Sequence, residues 1–248
     1  MTDTTLDSTG TSTPTVVLVH GAFADSSSWN DVIARLRQNG YPVLAVANPL
    51  RSLDGDARFL RDVLDSIDGP IVLAGHSYGG TVMSEAADGH PGVRALVYVA
   101  SFLLEEGEST GELAGRYPGN ELGGALRPVP VHTPDGRTVD DLYIQLDQFG
   151  PVFAGDVPAD VASVMAVTQR PIIGEALADK ATRAAWKTIP SWTLVTLADL
   201  AVPAEAQRFM VSRASSHAVE VDASHAVTVS QPGVVAELIE EAARATAR

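Results

Sequence analysis

The 248 residues carry a formal net charge of −14 and a hydrophobic fraction of 45%, and they include no cysteine. The lack of cysteine excludes disulfides, thiolate nucleophiles and cysteine-ligated metals, and the negative charge argues against nucleic acid or an anionic membrane as a partner. Residues 1–14 are rich in Thr, Ser and Asp, and are predicted to be a disordered leader, not a signal peptide. Because no apolar stretch approaches membrane-spanning length, we expect a soluble, cytoplasmic protein.

Strands and helices are predicted to alternate over the first part of the chain. A continuous β-branched run at 15–19 indicates a strand that is buried on both faces. Further strands are predicted at 42–47, 71–74 and 93–100. Apolar residues at helical spacing predict one helix after 26–28, a second that opens at Asp54 or Asp56, and a third over 80–87. This alternation with short links is typical of a doubly wound, mostly parallel sheet in an α/β fold.

The alternation stops between Phe102 and Trp186 and then resumes. Strands are predicted at 191–197 and 217–221, and helices at 204–212 and 232–245. The interval between the two parts is too long for a loop, and helix-like patches at 139–146 and 158–169 predict an inserted, mainly helical lid. The predicted organisation is a leader at 1–14, an α/β core formed by 15–101 and 187–248, and a lid at 102–186 that covers the carboxyl edge of the sheet.

A serine flanked by two glycines follows the strand at 71–74, in the segment Gly75-His76-Ser77-Tyr78-Gly79. A helix is predicted directly afterwards, and this context is that of the nucleophile elbow. Such a turn is so sharp that only a residue with little or no side chain fits two positions before and two positions after the serine, which explains Gly75 and Gly79. It exposes the hydroxyl at the carboxyl edge of the sheet, above a helix N-terminus that stabilises negative charge. Ser77 is therefore predicted to be a nucleophile.

A serine hydroxyl needs a histidine to take its proton, and the histidine needs a carboxylate to fix its tautomer. His225 follows the last predicted strand at the carboxyl edge, and Asp199 directly follows the strand at 191–197. Asp222 is too close to His225 in sequence, and Glu205 is predicted to lie inside a helix. The other five histidines are assigned to the motif loops, the surface, the lid and the start of a strand: His20, His76, His90, His132 and His217.

Two backbone amides are predicted to bind a developing oxyanion. One is the amide of Tyr78, directly after Ser77, and the other is the amide of Ala22 in the loop after the first strand. Five further side chains are candidates for substrate binding, although those in the lid could equally form its own core: Phe23, Phe102, Tyr143, Phe153 and Met165. No phosphate-binding loop is present and His132 with Asp135 is too sparse for a metal site, so neither a cofactor nor a metal is expected.

These motifs together resemble the α/β-hydrolase family over 15–101 and 191–245, and most of all its plant esterase and hydroxynitrile lyase branch with its bacterial relatives. The resemblance implies the following roles: Ser77 as nucleophile, His225 as base, Asp199 as acid, and the amides of Ala22 and Tyr78 as oxyanion donors. Haloalkane dehalogenases and epoxide hydrolases carry aspartate at the elbow, so their chemistry is disfavoured.

Two positions separate the chemistries of this branch. The lyases carry a threonine where this chain has Gly21, and a lysine where it has Ala226. The resemblance therefore favours a carboxylesterase that acts on a small or medium apolar ester. The sequence is compatible with a monomer and with a homodimer, and it does not distinguish the two. Three alternatives stay open, namely a lyase or C–C cleaving enzyme with the same triad, a cofactor-free dioxygenase or haloperoxidase, and a catalytically silent ligand-binding protein.

Overall fold

The computed structural model describes residues 13–247, so the predicted leader lies outside the described residues except for its last two positions. The first part of the core alternates strands and helices: β1 (Thr15–Val19), α1 (Asn30–Gln38), β2 (Val43–Val46), α2 (Leu53–Asp65), β3 (Ile71–His76), α3 (Tyr78–Ala87) and β4 (Val93–Val99). Helix α2 begins earlier than predicted, because Ser52 caps it by accepting a hydrogen bond from the amide of Gly55 at 3.1 Å.

The lid combines short helices with a small antiparallel sheet, and a π-helical turn lies at Phe149–Phe153. Its elements are α4 (Thr110–Ala114), α5 (Leu122–Ala125), β5 (Leu126–His132), β6 (Thr138–Ile144), α6 (Leu146–Gln148), α7 (Ala159–Thr168), β7 (Ile172–Ile173) and α8 (Gly174–Ala178). The predicted helix at 139–146 was wrong, because this segment forms β6 and pairs with β5 from Leu126 to His132. Its apolar residues at 139, 142, 143 and 146 fit helical spacing, and the pairing partner decides between the two forms.

The chain returns to the core after the lid. The remaining elements are β8 (Ser191–Thr196), α9 (Ala204–Ala214), β9 (His217–Val221), α10 (Val227–Ser230) and α11 (Pro232–Ala245). The six core strands form one sheet in the order β2-β1-β3-β4-β8-β9, and every neighbouring pair is parallel. The predicted doubly wound parallel sheet is confirmed. Within residues 13–247, no helix has the length and apolar character needed to cross a membrane.

The sheet separates two apolar layers, because successive strand residues point to opposite faces. Val17 and Leu73 pack in the layer that contains α2 and α3, whereas Val16 and Val72 pack in the layer that contains α1 and α11. All four side chains are fully buried. A strand covered by helices on both faces needs apolar residues at every position, which explains the continuous apolar runs in the sequence.

The lid is bonded to the loops that follow the first two strands. Phe23, after β1, donates its amide hydrogen to the Arg170 carbonyl at 3.0 Å. Arg51, after β2, forms an ion pair with Asp141 of β6 at 2.7 Å. Because both loops leave the carboxyl ends of their strands, the lid lies over the carboxyl edge of the parallel sheet.

One carboxylate joins the start of the lid to α9. Glu108 accepts hydrogen bonds from Arg213 of α9 at 2.9 and 3.0 Å and from Arg116 at 3.0 Å. Burial opposes ionisation of Glu108, but the bonds from Arg213, the Glu105 amide and Arg116 outweigh it and lower the pKa of Glu108 to about 2. The side chains of Arg213 and Glu108 remain 21% and 16% exposed, so solvent screens much of this attraction.

Glu108→Gln is expected to lower the free energy of unfolding by about 1 kcal/mol near neutral pH. Because folding lowers the pKa of Glu108 from 4.5 to about 2, the carboxylate contributes fully above pH 4.5, and its contribution is lost as the pH falls toward 2. The difference between wild type and variant in urea unfolding should therefore be smaller at about pH 3.5 than at about pH 6. Glu106→Gln, at a side chain 59% exposed, is the matched control. An equal difference at both pH values would contradict the assignment.

Candidate active site

Ser77 lies in the turn between β3 and α3, with φ 52° and ψ −128°, a strained conformation for a residue other than glycine. The flanking glycines are sterically required. A Cβ on Gly79 would lie 2.4 Å from the Val19 carbonyl oxygen, and a Cβ on Gly75 would lie 2.7 Å from backbone atoms of Gly79. Ser101 fastens the turn, because its Oγ donates to the Ser77 carbonyl at 2.6 Å. The elbow thus holds Ser77 at the carboxyl end of β3.

His225 follows β9 and Asp199 follows β8, and these strands are neighbours in the sheet. Nδ1 of His225 lies 2.8 Å from Oδ2 of Asp199, and the two side chains are 1% and 0% exposed. Thr196 Oγ1 also donates to Oδ2, at 2.8 Å, and the amides of Ala201 and Val202 each donate to Oδ1 at 2.8 Å. The carboxylate is therefore held by several donors, and its bond to Nδ1 leaves Nε2 of His225 available to accept a proton.

The rival carboxylates and two of the rival histidines are exposed, unlike the buried pair of Asp199 and His225. Asp222 and Glu205 are both exposed to solvent, and so are His132 and His217. His90 was predicted to lie at the surface, but the structure buries it. It is only 8% exposed, because its ring packs against the following turn and Nδ1 accepts a hydrogen bond from the backbone there.

Ser77 and His225 border one cavity of about 60 Å³ beneath the lid. Core and lid both contribute to its lining: Ala22, Phe23, Ser77, Tyr78, Phe102, Thr110, Gly111, Ala114, Leu122, Phe153, Leu177, Ala201, Val202 and His225. Within residues 13–247, Ser77 Oγ and His225 Nε2 are not hydrogen-bonded to each other. The hydrogen bond between a nucleophile and its base often forms fully only when substrate binds. Apart from Ser77, Tyr78, Thr110 and His225, the residues that line the cavity are apolar.

The five candidates for substrate binding divide into two groups. Phe23, Phe102 and Phe153 line the cavity beside Ser77 and His225. Tyr143 instead lies on the hairpin of the lid, where the Arg127 guanidinium is 5.5 Å from the centre of its ring. Met165 lines a separate groove between α7 and the loop after β1. Tyr143 and Met165 were chosen by residue type alone, and the fold of the lid decides where each one points.

The amides of Ala22 and Tyr78 are both unpaired within residues 13–247. Tyr78 is the first residue of α3, so its N–H has no acceptor inside the helix. The loop that carries Ala22 touches the elbow, because a Cβ on Gly21 would lie 2.7 Å from the Cβ of Ser77. Two unsatisfied donors beside a serine hydroxyl are suited to bind an oxyanion.

Two buried histidines support the loops of this site. His76 donates from Nε2 to the carbonyl of His225 at 2.8 Å, and burial lowers its pKa to about 3, so its ring is neutral. His20 bonds the Gly21 carbonyl through Nδ1 at 2.9 Å and accepts from the Asn48 amide through Nε2 at 3.0 Å. Burial lowers the pKa of His20 as well. Both side chains act on the backbone of the loops.

A buried carboxylate beneath the elbow was missed from the sequence. Tyr78 donates its hydroxyl to Oδ2 of Asp56 at 3.1 Å, and the Arg51 amide donates to Oδ1 at 3.1 Å. Asp56 is 1% exposed, and burial raises its pKa. One signal was present in the sequence, since Asp56 precedes the buried Leu60 and Leu64 by four and eight residues, on the inward face of α2.

Known proteins resemble this chain over nearly its whole length. Residues 16–238 match the alpha/beta hydrolase family. Probable hydrolase R7 of a Phoma species is 25% identical, over 93% of this chain and 98% of its own. The pyrethroid hydrolase of Sphingobium wenxiniae is 27% identical, over 94% of this chain and 88% of its own. The crystal structure of polyneuridine aldehyde esterase has the same fold, with a TM-score of 0.79 at 19% identity, over 92% of this chain and 98% of its own. The chain therefore belongs to the alpha/beta hydrolase family, as its motifs predicted.

Proposed function

We propose that this protein is a serine carboxylesterase that cleaves a small, uncharged, apolar ester through an acyl-enzyme. The observation that carries the proposal is the convergence of groups at one cavity. Ser77 on its strained turn and His225 bound to the buried Asp199 both border the cavity, together with Ala22 and Tyr78, whose amides are unpaired within residues 13–247. Names of similar proteins support the reaction class, since they include a pyrethroid hydrolase and a putative methylesterase.

The proposed reaction has two halves. Ser77 Oγ attacks the ester carbonyl while Nε2 of His225 takes its proton, and the amides of Ala22 and Tyr78 donate to the oxyanion. His225 then gives the proton to the leaving alcohol, and the acyl group stays on Ser77. In the second half, His225 takes a proton from water, the hydroxide attacks the acyl carbonyl, and the acid leaves as Ser77 regains its proton. Asp199 holds His225 throughout and stabilises the imidazolium.

The small volume and apolar lining of the cavity favour a substrate with a short, uncharged acyl group. Asp, Glu, Lys and Arg side chains are absent from the lining within residues 13–247. The hydroxyl of Thr110 already bonds Thr81 Oγ1 at 3.1 Å. A charged substrate group would lose its hydration here without a partner, which is strongly unfavourable.

Hydrolysis is favoured over cyanohydrin cleavage at the two positions that distinguish the lyases. A Cβ on Gly21 would lie 2.7 Å from Ser77 Cβ and 2.9 Å from the His76 carbonyl oxygen, so a threonine could enter only if the loop moved. Ala226 is 1% exposed and carries no charge that could stabilise a leaving cyanide.

A fluorophosphonate probe tests the proposal directly. The wild-type protein is expected to form a covalent adduct, which peptide mass spectrometry should locate at Ser77, and to hydrolyse p-nitrophenyl acetate with a burst of nitrophenol. Cyanide release from mandelonitrile serves as the parallel assay for the lyase alternative. Lack of labelling and of ester hydrolysis would reject the proposal and favour a catalytically silent binding protein.

A further inference from the structure

The loop that carries His225 is bonded to the lid as well as to the core. The amide of Ala226 donates to the Phe153 carbonyl at 2.9 Å. The hydroxyl of Ser224 donates to the carboxylate of Asp156 and lies 3.4 Å from the same Phe153 carbonyl oxygen. Phe153 is the last residue of the π-helical turn of the lid and Asp156 follows it by three positions, so residues directly before and after His225 are bound by the lid.

The core alone holds only part of this loop. Asp199 holds the imidazole through Nδ1, and His76 holds the carbonyl of His225 at 2.8 Å. The core also binds the Ala223 carbonyl, through the Ala198 amide at 3.1 Å, and the Ala226 carbonyl, through the Val229 amide at 2.9 Å. The Ser224 hydroxyl and the Ala226 amide are the groups of this loop that bond the lid. The ring of Phe153 completes the contact, because its centre lies 4.8 Å from that of His225 at an interplanar angle of 69°.

We propose that Ser224 and Asp156 are positioning residues that place the catalytic base His225 only when the lid is seated. This inference rests on the proposed esterase function. It explains why a buried serine, 5% exposed, directs its hydroxyl at a carboxylate on the surface of the lid. If the lid lifts, the loop loses the bonds of Ser224 and Ala226 together, and His225 loses its alignment with Ser77. The enzyme is then competent only while the lid keeps its contacts with Ser224 and Ala226.

Substitution of Asp156 or Ser224 is expected to lower kcat more than it changes KM. Asp156 and Ser224 are absent from the lining of the cavity, so substrate binding does not depend on contact with either of them. A displaced base lowers the rate of proton transfer, and small misplacements of a catalytic group cost up to about a hundredfold. We expect Asp156→Ala and Ser224→Ala each to lower kcat by roughly tenfold, with KM changed less than about twofold.

A double-mutant cycle tests the pairing. Because the two side chains act through one hydrogen bond, the double variant should lose about as much as the more severe single variant. Asp156→Asn keeps an oxygen acceptor for Ser224 and should recover most of the activity. Asp147→Ala is the matched control, since Asp147 is also an exposed lid aspartate, and its side chain makes no hydrogen bond within the described chain. Thermal unfolding of each variant checks the fold.

Three outcomes would overturn the inference: wild-type kcat in both alanine variants, losses that multiply in the double variant, or a loss of stability at unchanged kcat. The fluorophosphonate probe separates this failure from failure of the proposed function. If wild-type Ser77 is labelled and the alanine variants match it in labelling rate, the positioning role alone is rejected. If wild-type Ser77 is not labelled, the esterase assignment itself is rejected.

Discussion

Ser77→Ala is expected to lower kcat for p-nitrophenyl acetate by about 10⁶-fold, the loss seen when the nucleophile of a serine hydrolase is removed. In the proposed mechanism the variant cannot form an acyl-enzyme, while the amides of Ala22 and Tyr78 can still polarise a bound ester. A residual rate above that of the buffer reaction is therefore expected. Steady-state assays with the initial burst recorded measure both effects, and the burst should disappear.

The fold should survive this substitution. The hydrogen bonds that fasten the elbow use the backbone of Ser77, since its amide donates to the Val99 carbonyl at 3.1 Å and its carbonyl accepts from Ser101. Alanine keeps both bonds, so the melting temperature should stay within a few degrees of the wild-type value. Ser84→Ala is the matched control, because Ser84 is a buried serine of α3 whose hydroxyl bonds Tyr98 at 2.7 Å. Ester hydrolysis that persists in Ser77→Ala would reject Ser77 as the nucleophile.

The core and its catalytic candidates could be predicted from the sequence because local rules determine them. Strands buried on both faces are continuous apolar runs, and the residues that follow parallel strands meet at one edge of the sheet. Ser77, Asp199 and His225 each follow a parallel strand: the buried strands β3 and β8, and the exposed edge strand β9. The positions of Asp199 and His225 after parallel strands are therefore enough to predict that the two side chains lie close together.

The lid could not be predicted in the same way, because its structure depends on pairing between distant segments. The spacing of Val139, Leu142, Tyr143 and Leu146 fits a helix, and only the neighbouring β5 makes the segment a strand. The supporting contacts of the site have the same origin. Ser224 and Asp156 are 68 residues apart in the sequence, and nothing local indicates that they meet.

Asp199→Asn is expected to lower kcat by about 10⁴-fold, as for the equivalent substitution in serine hydrolases with a Ser-His-Asp triad. The structure explains why an amide fails here. Oδ1 of Asp199 accepts from the amides of Ala201 and Val202 at 2.8 Å each, so the oxygen of an asparagine must occupy that position. The NH₂ group then takes the place of Oδ2 and faces Nδ1 of His225. It donates to Nδ1, which leaves the ring proton on Nε2, and His225 can no longer accept the proton of Ser77.

The same substitution also places two donors against each other, because Gln207 Nε2 lies 3.3 Å from Oδ2 of Asp199. Some loss of stability should therefore accompany the loss of activity, and thermal unfolding must be measured beside the kinetics. Asp222→Asn is the matched control, as an exposed carboxylate three residues before His225, and its kcat should stay within about twofold of wild type. A loss below about tenfold in folded Asp199→Asn would show that His225 does not depend on this carboxylate for its tautomer.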